Sequence, residues 1–312
     1  MSALPTDASP PRNTDLETAL DDELVIQQRS HPLNLGFPKW ERLTRPSSGL
    51  FMVLGGRPGQ FKTTWAWTMA ANLALAGKRV CWIGLEMRPG QMAAMLVSRL
   101  AHIPRKRLED AWRPGGALTS AETRAIDEAR MQMSLLRITF HDPARNSTID
   151  VIESARKVRY DAVFVDHLGL VGAGRGDEFE KLNDTITALR RLAHGELAPG
   201  YYPAVVALSQ LNRDIEKTDT KKPAARYPRM SDLRGSGRLE ADADAITILH
   251  RPGSLDPENQ SLDLRAVIVK NRQGPFPVAL QLDPKPDYCL VEETSDAVDP
   301  PVRHYSDPEE EP

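Results

Sequence analysis

Ten residues, GGRPGQFKTT at positions 55–64, have the types and order that could hold a nucleoside triphosphate. The pattern is G-x-x-x-x-G-K-[ST]. Glycines let the backbone curl so that its N–H groups converge on phosphate oxygens, lysine brings an ammonium to the outer phosphates, and the hydroxyl reaches Mg²⁺. Gly56, Lys62 and Thr63 meet the pattern, and Arg57, Pro58, Gly59, Gln60 and Thr64 complete the loop. Phe61 stands where a glycine is expected before the lysine. It places a Cβ and a ring where the chain must turn, so the loop has either to keep a conformation open to L-residues or to shift. Gly59 offers a place to absorb part of the bend. The chemistry expected is binding of ATP, or another nucleoside triphosphate, with Mg²⁺.

Three further polar residues follow apolar, strand-like runs. Asp166 closes Ala162 to Val165, and the C-terminal ends of strands are where open α/β sheets present groups to ligands. Its carboxylate suits Mg²⁺, with Thr63 as the other metal-side oxygen; taken alone it reads equally well as a capping aspartate. Glu86 ends RVCWIGLE and could polarise an attacking water. Gln210 ends PAVVALSQL, where a neutral amide could sense a γ-phosphate without adding charge. Lys270-Asn271-Arg272 adds two cations on one side of a later strand, which in isolation is an ordinary solvated edge.

These residues need a scaffold that aligns strand ends. Strand-like runs recur at 79–86, 135–140, 161–171 and 203–211, separated by helical stretches at 89–102, 119–134, 148–159 and 178–194. Thr64 to Ala76 reads as a helix closed by Gly77, and Thr119-x-x-Glu122 is a capping box. Such alternation predicts an α/β fold with a mainly parallel central sheet flanked by helices. From residue 244 strands follow closely, with turn signals at Gly253-Ser254 and Gln273-Gly274-Pro275, so the C-terminal end is expected to be antiparallel.

Residues 1–13 and the acidic stretch 294–312 are expected to be disordered, and 33–293 to form the folded domain. Between them, Thr14-x-x-Glu17 precedes Leu16, Leu20 and Leu24 on one face of a helix reaching about Arg29, in a connecting segment 14–32. The net charge of −3 divides into −7 over residues 292–312 and +4 over 1–291. Two cysteines, Cys81 and Cys289, lack metal-ligand spacing. With no apolar leader and no apolar run of membrane-spanning length, the reading is a cytoplasmic protein with no membrane association.

GGRPGQFKTT, GLEM (84–87), VFVDHLGL (163–170), ALSQLNR (207–213), SDLRGSGRLEADAD (231–244) and VKNRQGP (269–275) together resemble the RecA-fold motor domain of DnaB-type replicative DNA helicases over residues 33–293, and also the helicase half of phage primase-helicases. The resemblance implies a RecA-like P-loop NTPase. In it Lys62 and Thr63 hold phosphates and Mg²⁺, Glu86 is the catalytic base, Asp166 the Walker B acid and Gln210 the γ-phosphate sensor. Lys270 and Arg272 would reach into a neighbour's nucleotide site, with Arg272 as finger, and the assembly would be a homo-oligomeric ring, a hexamer, with a loader or primase as candidate partner. Residues 14–29 would correspond to the linker helix that docks on the next subunit. Phe61 departs from the family pattern, as does Gly169, where glutamine is common. No N-terminal helical domain precedes the motor, which suits a phage or plasmid replication protein working in a bacterial host's cytoplasm.

If the resemblance holds, the loops after the Walker B strand and after the Gln210 strand face a central channel for single-stranded DNA. Arg175 lies in the first, and Arg213, Lys217, Lys221, Lys222 and Arg226 in the second, with Tyr227 nearby. Mobile cations of this kind track a phosphate backbone without reading bases. Arg234 and Arg238 could serve the nucleotide site instead. The leading expectation is an ATP-dependent helicase or translocase in replication or recombination. Two alternatives stand beside it: a degenerate RecA-like module that binds single-stranded DNA with weak or no turnover, and a metal-dependent nuclease reusing the fold.

Overall fold

The computed structural model describes residues 30–141, 147–172, 177–212, 227–252 and 261–294, together with Leu16, Glu17, Leu20 and Leu24. These last four lie in helical conformation with their leucines exposed. The stretch 1–13 and, apart from Thr294, the stretch 294–312, both expected to be disordered, lie outside the described residues, as do the turn at Gly253-Ser254 and Arg175, Arg213, Lys217, Lys221, Lys222 and Arg226.

The strands are β1 Phe51–Gly56, β2 Val80–Gly84, β3 Ile138–His141, β4 Ala162–Asp166, β5 Ala204–Gln210, β6 Ala245–His250, β7 Leu264–Asn271, β8 Val278–Lys285 and β9 Leu290–Glu293. Among the described residues they form one sheet in the order β3-β2-β4-β5-β1-β6-β7-β8-β9. The first six positions are parallel and β6 to β9 pair antiparallel, as the sequence pattern predicts. β4 is buried along its whole length, which explains why AVFVD is a continuous apolar run: a central parallel strand has helices on both faces.

Side chains alternate between those faces. Phe51 and Val53 enter one core layer with Ile186 and Leu189, whereas Met52 and Leu54 enter the other with Trp65 and Trp82. The helices are α1 Pro38–Thr44, α2 Lys62–Leu75, α3 Pro89–Ala101, α4 Arg105–Ala111, α5 Ser120–Ser134, α6 Thr148–Arg156, α7 Glu178–Ala193 and α8 Ser236–Asp242. On one face α2 carries Trp65 and Trp67; Trp67 meets Trp82 edge-on at 5.1 Å between ring centroids, and Trp82 stacks on Phe164 at 5.5 Å. Helix α2 ends at a left-handed Gly77 (φ 79), with Lys78 N–H donating to the Leu73 carbonyl at 3.0 Å and Gly77 N–H to Ala74 at 2.9 Å. This is the paired C-cap motif that glycine permits. Helix α5 opens on the expected box: Thr119 Oγ1 accepts from Glu122 N–H, and Glu122 reaches back to Thr119 N–H at 2.7 Å.

Several boundaries move. Helix α2 begins at Lys62, two residues before Thr64, because the phosphate loop runs directly into it. The run 161–171 is not one strand: β4 stops at Asp166, and Leu168–Leu170 form a 3₁₀ turn with the His167 side chain accepting from Gly169 N–H. Helices α1, α4 and α8, each of seven residues, are additions to the expected set. Two turns hold too few residues for a 3.6-residue period to be read.

Candidate active site

Four neighbouring strands, β2-β4-β5-β1, deliver their C-terminal ends to one edge of the sheet. Register fixes the alignment, since Gly84 pairs with Asp166 and Gly56 with Gln210. The phosphate loop leaves β1 there, Asp166 and Gln210 end β4 and β5, and Glu86 lies two residues beyond β2. Lys62, Thr63, Glu86, Asp166 and Gln210 are thus brought to one place from separate segments of the chain.

Phe61 is the N-cap of α2 with φ 59 and ψ 18, and Gly59 has φ 74. The loop therefore keeps the left-handed turn that a glycine would take, and Phe61 adopts it. Its half-buried ring packs against the core layer containing Trp65 and Trp67 and does not stand free in the loop. Gln60 is buried, and its Oε1 accepts from Arg57 N–H at 3.1 Å, closing the loop from within. Lys62 Nζ donates to the Arg57 carbonyl at 2.8 Å.

The electrostatics are those of a buried charge cluster. Burial lowers the Lys62 pKa, while Asp166 and Glu86 oppose the shift. Burial raises the Asp166 pKa to about 6, against a hydrogen bond from Thr63 and the charge of Lys62, with Glu86 adding to the rise. Asp166 and the Thr63 hydroxyl make an all-oxygen pair, the donor chemistry Mg²⁺ takes, and one carboxylate suffices for an ion that keeps waters and phosphates in its shell. Among the described residues no three His, Cys, Asp or Glu side chains gather as a group that could hold a metal ion.

His167, next to Asp166, is buried within this group. Its Nε2 lies 3.1 Å from Gln210 Nε2 and 3.9 Å from Glu86 Oε2, and its Nδ1 is 3.1 Å from Gly169 N. Burial lowers its pKa, as do Lys62 and Arg234, with Glu86 opposing. Arg234 is beside it and bonded to Glu178 at 2.6 Å, whereas Arg238 is tied to Asp242 on its own helix at 2.6 Å. Motif spacing does not single out His167. Its position directly after Asp166 is a signal, but its partners come from strands that only the fold brings together.

Lys270 and Arg272 are not in this cluster. β7 runs antiparallel to β6, so Asn271 pairs with Ala245 at the opposite edge of the sheet. There Lys270 Nζ bonds the carbonyls of Glu240 and Ala243, while Arg272 bonds Asp244 Oδ1 at 3.2 Å and the Ala241 carbonyl. Tyr227, which follows the basic loop expected to face DNA, accepts from Arg265 and lies 5.6 Å from the His250 ring.

A mainly parallel sheet with antiparallel C-terminal strands, a phosphate loop after β1 and acids at the neighbouring strand ends define a RecA-like P-loop ATPase core. The likeness extends to the RadB recombinase (16% identity, TM-score 0.52), which shows the fold alone. Residues 33–285 match the model of the DnaB-like helicase C terminal domain, and the chain belongs to that family. Similar curated proteins include a probable plasmid replicative DNA helicase of Chlamydia psittaci, 32% identical over 73% of this chain and 48% of that protein. Another is the replicative DNA helicase DnaB of Geobacillus stearothermophilus, 28% identical over 77% and 52%. The chain spans about half the length of these relatives. Among solved structures, an isolated ATPase domain superposes with TM-score 0.74 at 25% identity, covering 90% of this chain and 99% of that one.

Proposed function

We propose that this chain is the ATP-driven motor of a ring-forming helicase that moves on single-stranded DNA in phage- or plasmid-type replication or recombination. The observation that carries the reading is the split of the candidate residues between two edges of one sheet. Lys62, Thr63, Asp166, Glu86 and Gln210 meet at one edge and Arg272 lies at the other, as a site completed by the next subunit requires.

Within that site each group has a task its position allows. Backbone N–H groups from Gly56 to Thr64 line the loop, and Lys62 offsets charge on the outer phosphates. Thr63 and Asp166 would hold Mg²⁺, which when bound polarises phosphoryl oxygens and offsets their charge. Glu86, more than half exposed at its side chain, is free to orient and deprotonate a water, and Gln210 hydrogen-bonds a γ-phosphate. Arg272 from a neighbour would stabilise charge developing on the transferred group, with Lys270 beside it, so hydrolysis would require the ring. Arg175, Arg213, Lys217, Lys221, Lys222 and Arg226 are proposed to contact the DNA backbone. Residues 33–293 are the proposed motor domain, 14–32 the proposed linker, and a cytoplasmic location and a loader or primase partner complete the proposal. Support for the last comes from a solved relative, a DnaB-like replicative helicase described together with its interactions with primase. Among the described residues, no helix is long and apolar enough to cross a membrane.

The test is ATP hydrolysis by the purified chain with and without single-stranded DNA, beside a Lys62→Ala control and a mass measurement. DNA-stimulated turnover that Lys62→Ala abolishes, in a ring-sized oligomer, supports the motor. DNA binding without Lys62-dependent turnover overturns it in favour of a binding module.

A further inference from the structure

The sequence places a histidine directly after Asp166 and a glycine two residues later. The fold makes these two choices depend on each other. Gly169 N–H points at His167 Nδ1 at 3.1 Å. An amide can only donate, so Nδ1 is the unprotonated nitrogen of the ring, and in the neutral imidazole the proton is then on Nε2. Nε2–H therefore donates; the Gln210 atom 3.1 Å from it is the amide nitrogen, itself a donor, so the pairing requires that amide to turn and present its oxygen, while Glu86 Oε2 stands at 3.9 Å, beyond direct hydrogen-bond reach. A Cβ added at Gly169 would come within 3.1 Å of His167 Cε1 and 3.2 Å of Nδ1, a tighter contact than ordinary packing. Glycine at 169 is what lets the turn close on the ring.

We infer that His167 is a positioning residue for hydrolysis, holding the Gln210 amide beside Glu86 through its imidazole N–H, and that Gly169 is the residue that seats its ring. The inference rests on the ATPase reading above. The ring contacts Gly169 after β4 and Gln210 at the end of β5, so it ties those two segments together beside Glu86.

The experiment compares the full chain with His167→Ala, His167→Gln, Gly169→Ala and Gln210→Ala, reading kcat and KM for DNA-stimulated ATP hydrolysis, affinity for a fluorescent ATP analogue, and thermal unfolding. His167→Ala should lower kcat about 10- to 100-fold, the cost of leaving the Gln210 amide without its partner and free to turn, with KM and analogue affinity within about threefold of the parent. His167→Gln keeps an N–H donor near the Nε2 position and should recover most of that loss. In a Gln210→Ala background the further cost of His167→Ala should shrink to under about threefold, because the two act as one unit. Gly169→Ala should lower kcat in the parent and cost nothing more once the ring is removed by His167→Ala. A kcat unchanged by His167→Ala, a Gln variant no better than Ala, or losses that fall equally on KM and unfolding temperature would overturn the inference alone. Absence of Lys62-dependent turnover in the parent would overturn the ATPase reading and the inference with it.

Discussion

Replacing Phe61 by glycine tests whether the phosphate loop is built around its unusual residue. Two effects of similar size oppose each other. A non-glycine residue held in the left-handed region costs about 1 kcal/mol, which glycine would release. Full burial of a phenylalanine side chain contributes roughly 1.5–3 kcal/mol, and the Phe61 ring is half-buried, so its removal forfeits about 1 kcal/mol. Glycine also regains freedom in the unfolded chain, an additional loss of a few tenths of a kcal/mol. The terms cancel to within about 1 kcal/mol, or a shift in unfolding temperature of roughly 2–4 °C in either direction for a domain of this size. Nucleotide affinity should move even less. The backbone at 61 is already left-handed (φ 59) and the ring is turned into the core layer of Trp65 and Trp67, so the N–H groups aimed at phosphate are the same in both proteins. Titration with a fluorescent ATP analogue should give affinities within about fivefold, about 1 kcal/mol. Phe61→Val, which forces a β-branched residue into the same region, should weaken binding well beyond that. Tightening by more than about 30-fold in Phe61→Gly, about 2 kcal/mol, would refute this reasoning and show that the ring obstructs the phosphate cradle.

Other consequences can be checked on the same protein. Asp166 has a folded pKa of about 6 against an ordinary 3.8, so between these values the folded state binds the extra proton and stability falls as pH rises. Asp166→Asn should therefore stabilise the nucleotide-free protein at pH 7.5 by on the order of 2–3 kcal/mol, lose that advantage below about pH 4, and abolish turnover; unfolding curves at both pH values decide it. Mixing Lys62→Ala with Arg272→Ala, each inactive alone, should restore turnover at roughly a quarter of the interfaces if every site takes Lys62 from one subunit and Arg272 from the next. No recovery in subunit-exchanged mixtures would count against a finger acting in trans. Trp82 is fully buried between Trp67 and Phe164, so Trp82→Ala should cost about 3–5 kcal/mol in chemical denaturation; a cost below about 1 kcal/mol would mean that this layer repacks freely.

How much of this was legible beforehand depends on how local the cause is. The apolar run AVFVD, the capping box at Thr119 and Glu122, and Gly77 closing α2 each reflect forces within a few residues, and each was readable in the chain. The phosphate loop was readable for the same reason, because one contiguous segment supplies its N–H groups, lysine and hydroxyl. The same sequence pointed to Asp166, Glu86 and Gln210 as strand-end groups through the order of its motifs. It could not decide the conformation at Phe61: local preference argues against a left-handed phenylalanine, and packing of the ring on the core layer, a tertiary contact, offsets it. Nor could it pair His167 with Gln210 and Glu86, since those contacts arise only when β2, β4 and β5 lie side by side in fixed register. The opposite placements of Lys62 and Arg272 follow from β7 running antiparallel to β6, which is a property of the assembled sheet. Composition and spacing determined which residue types the chain carries for this chemistry; the long-range strand order decided which of them meet at one edge of the sheet and which lie at the opposite edge.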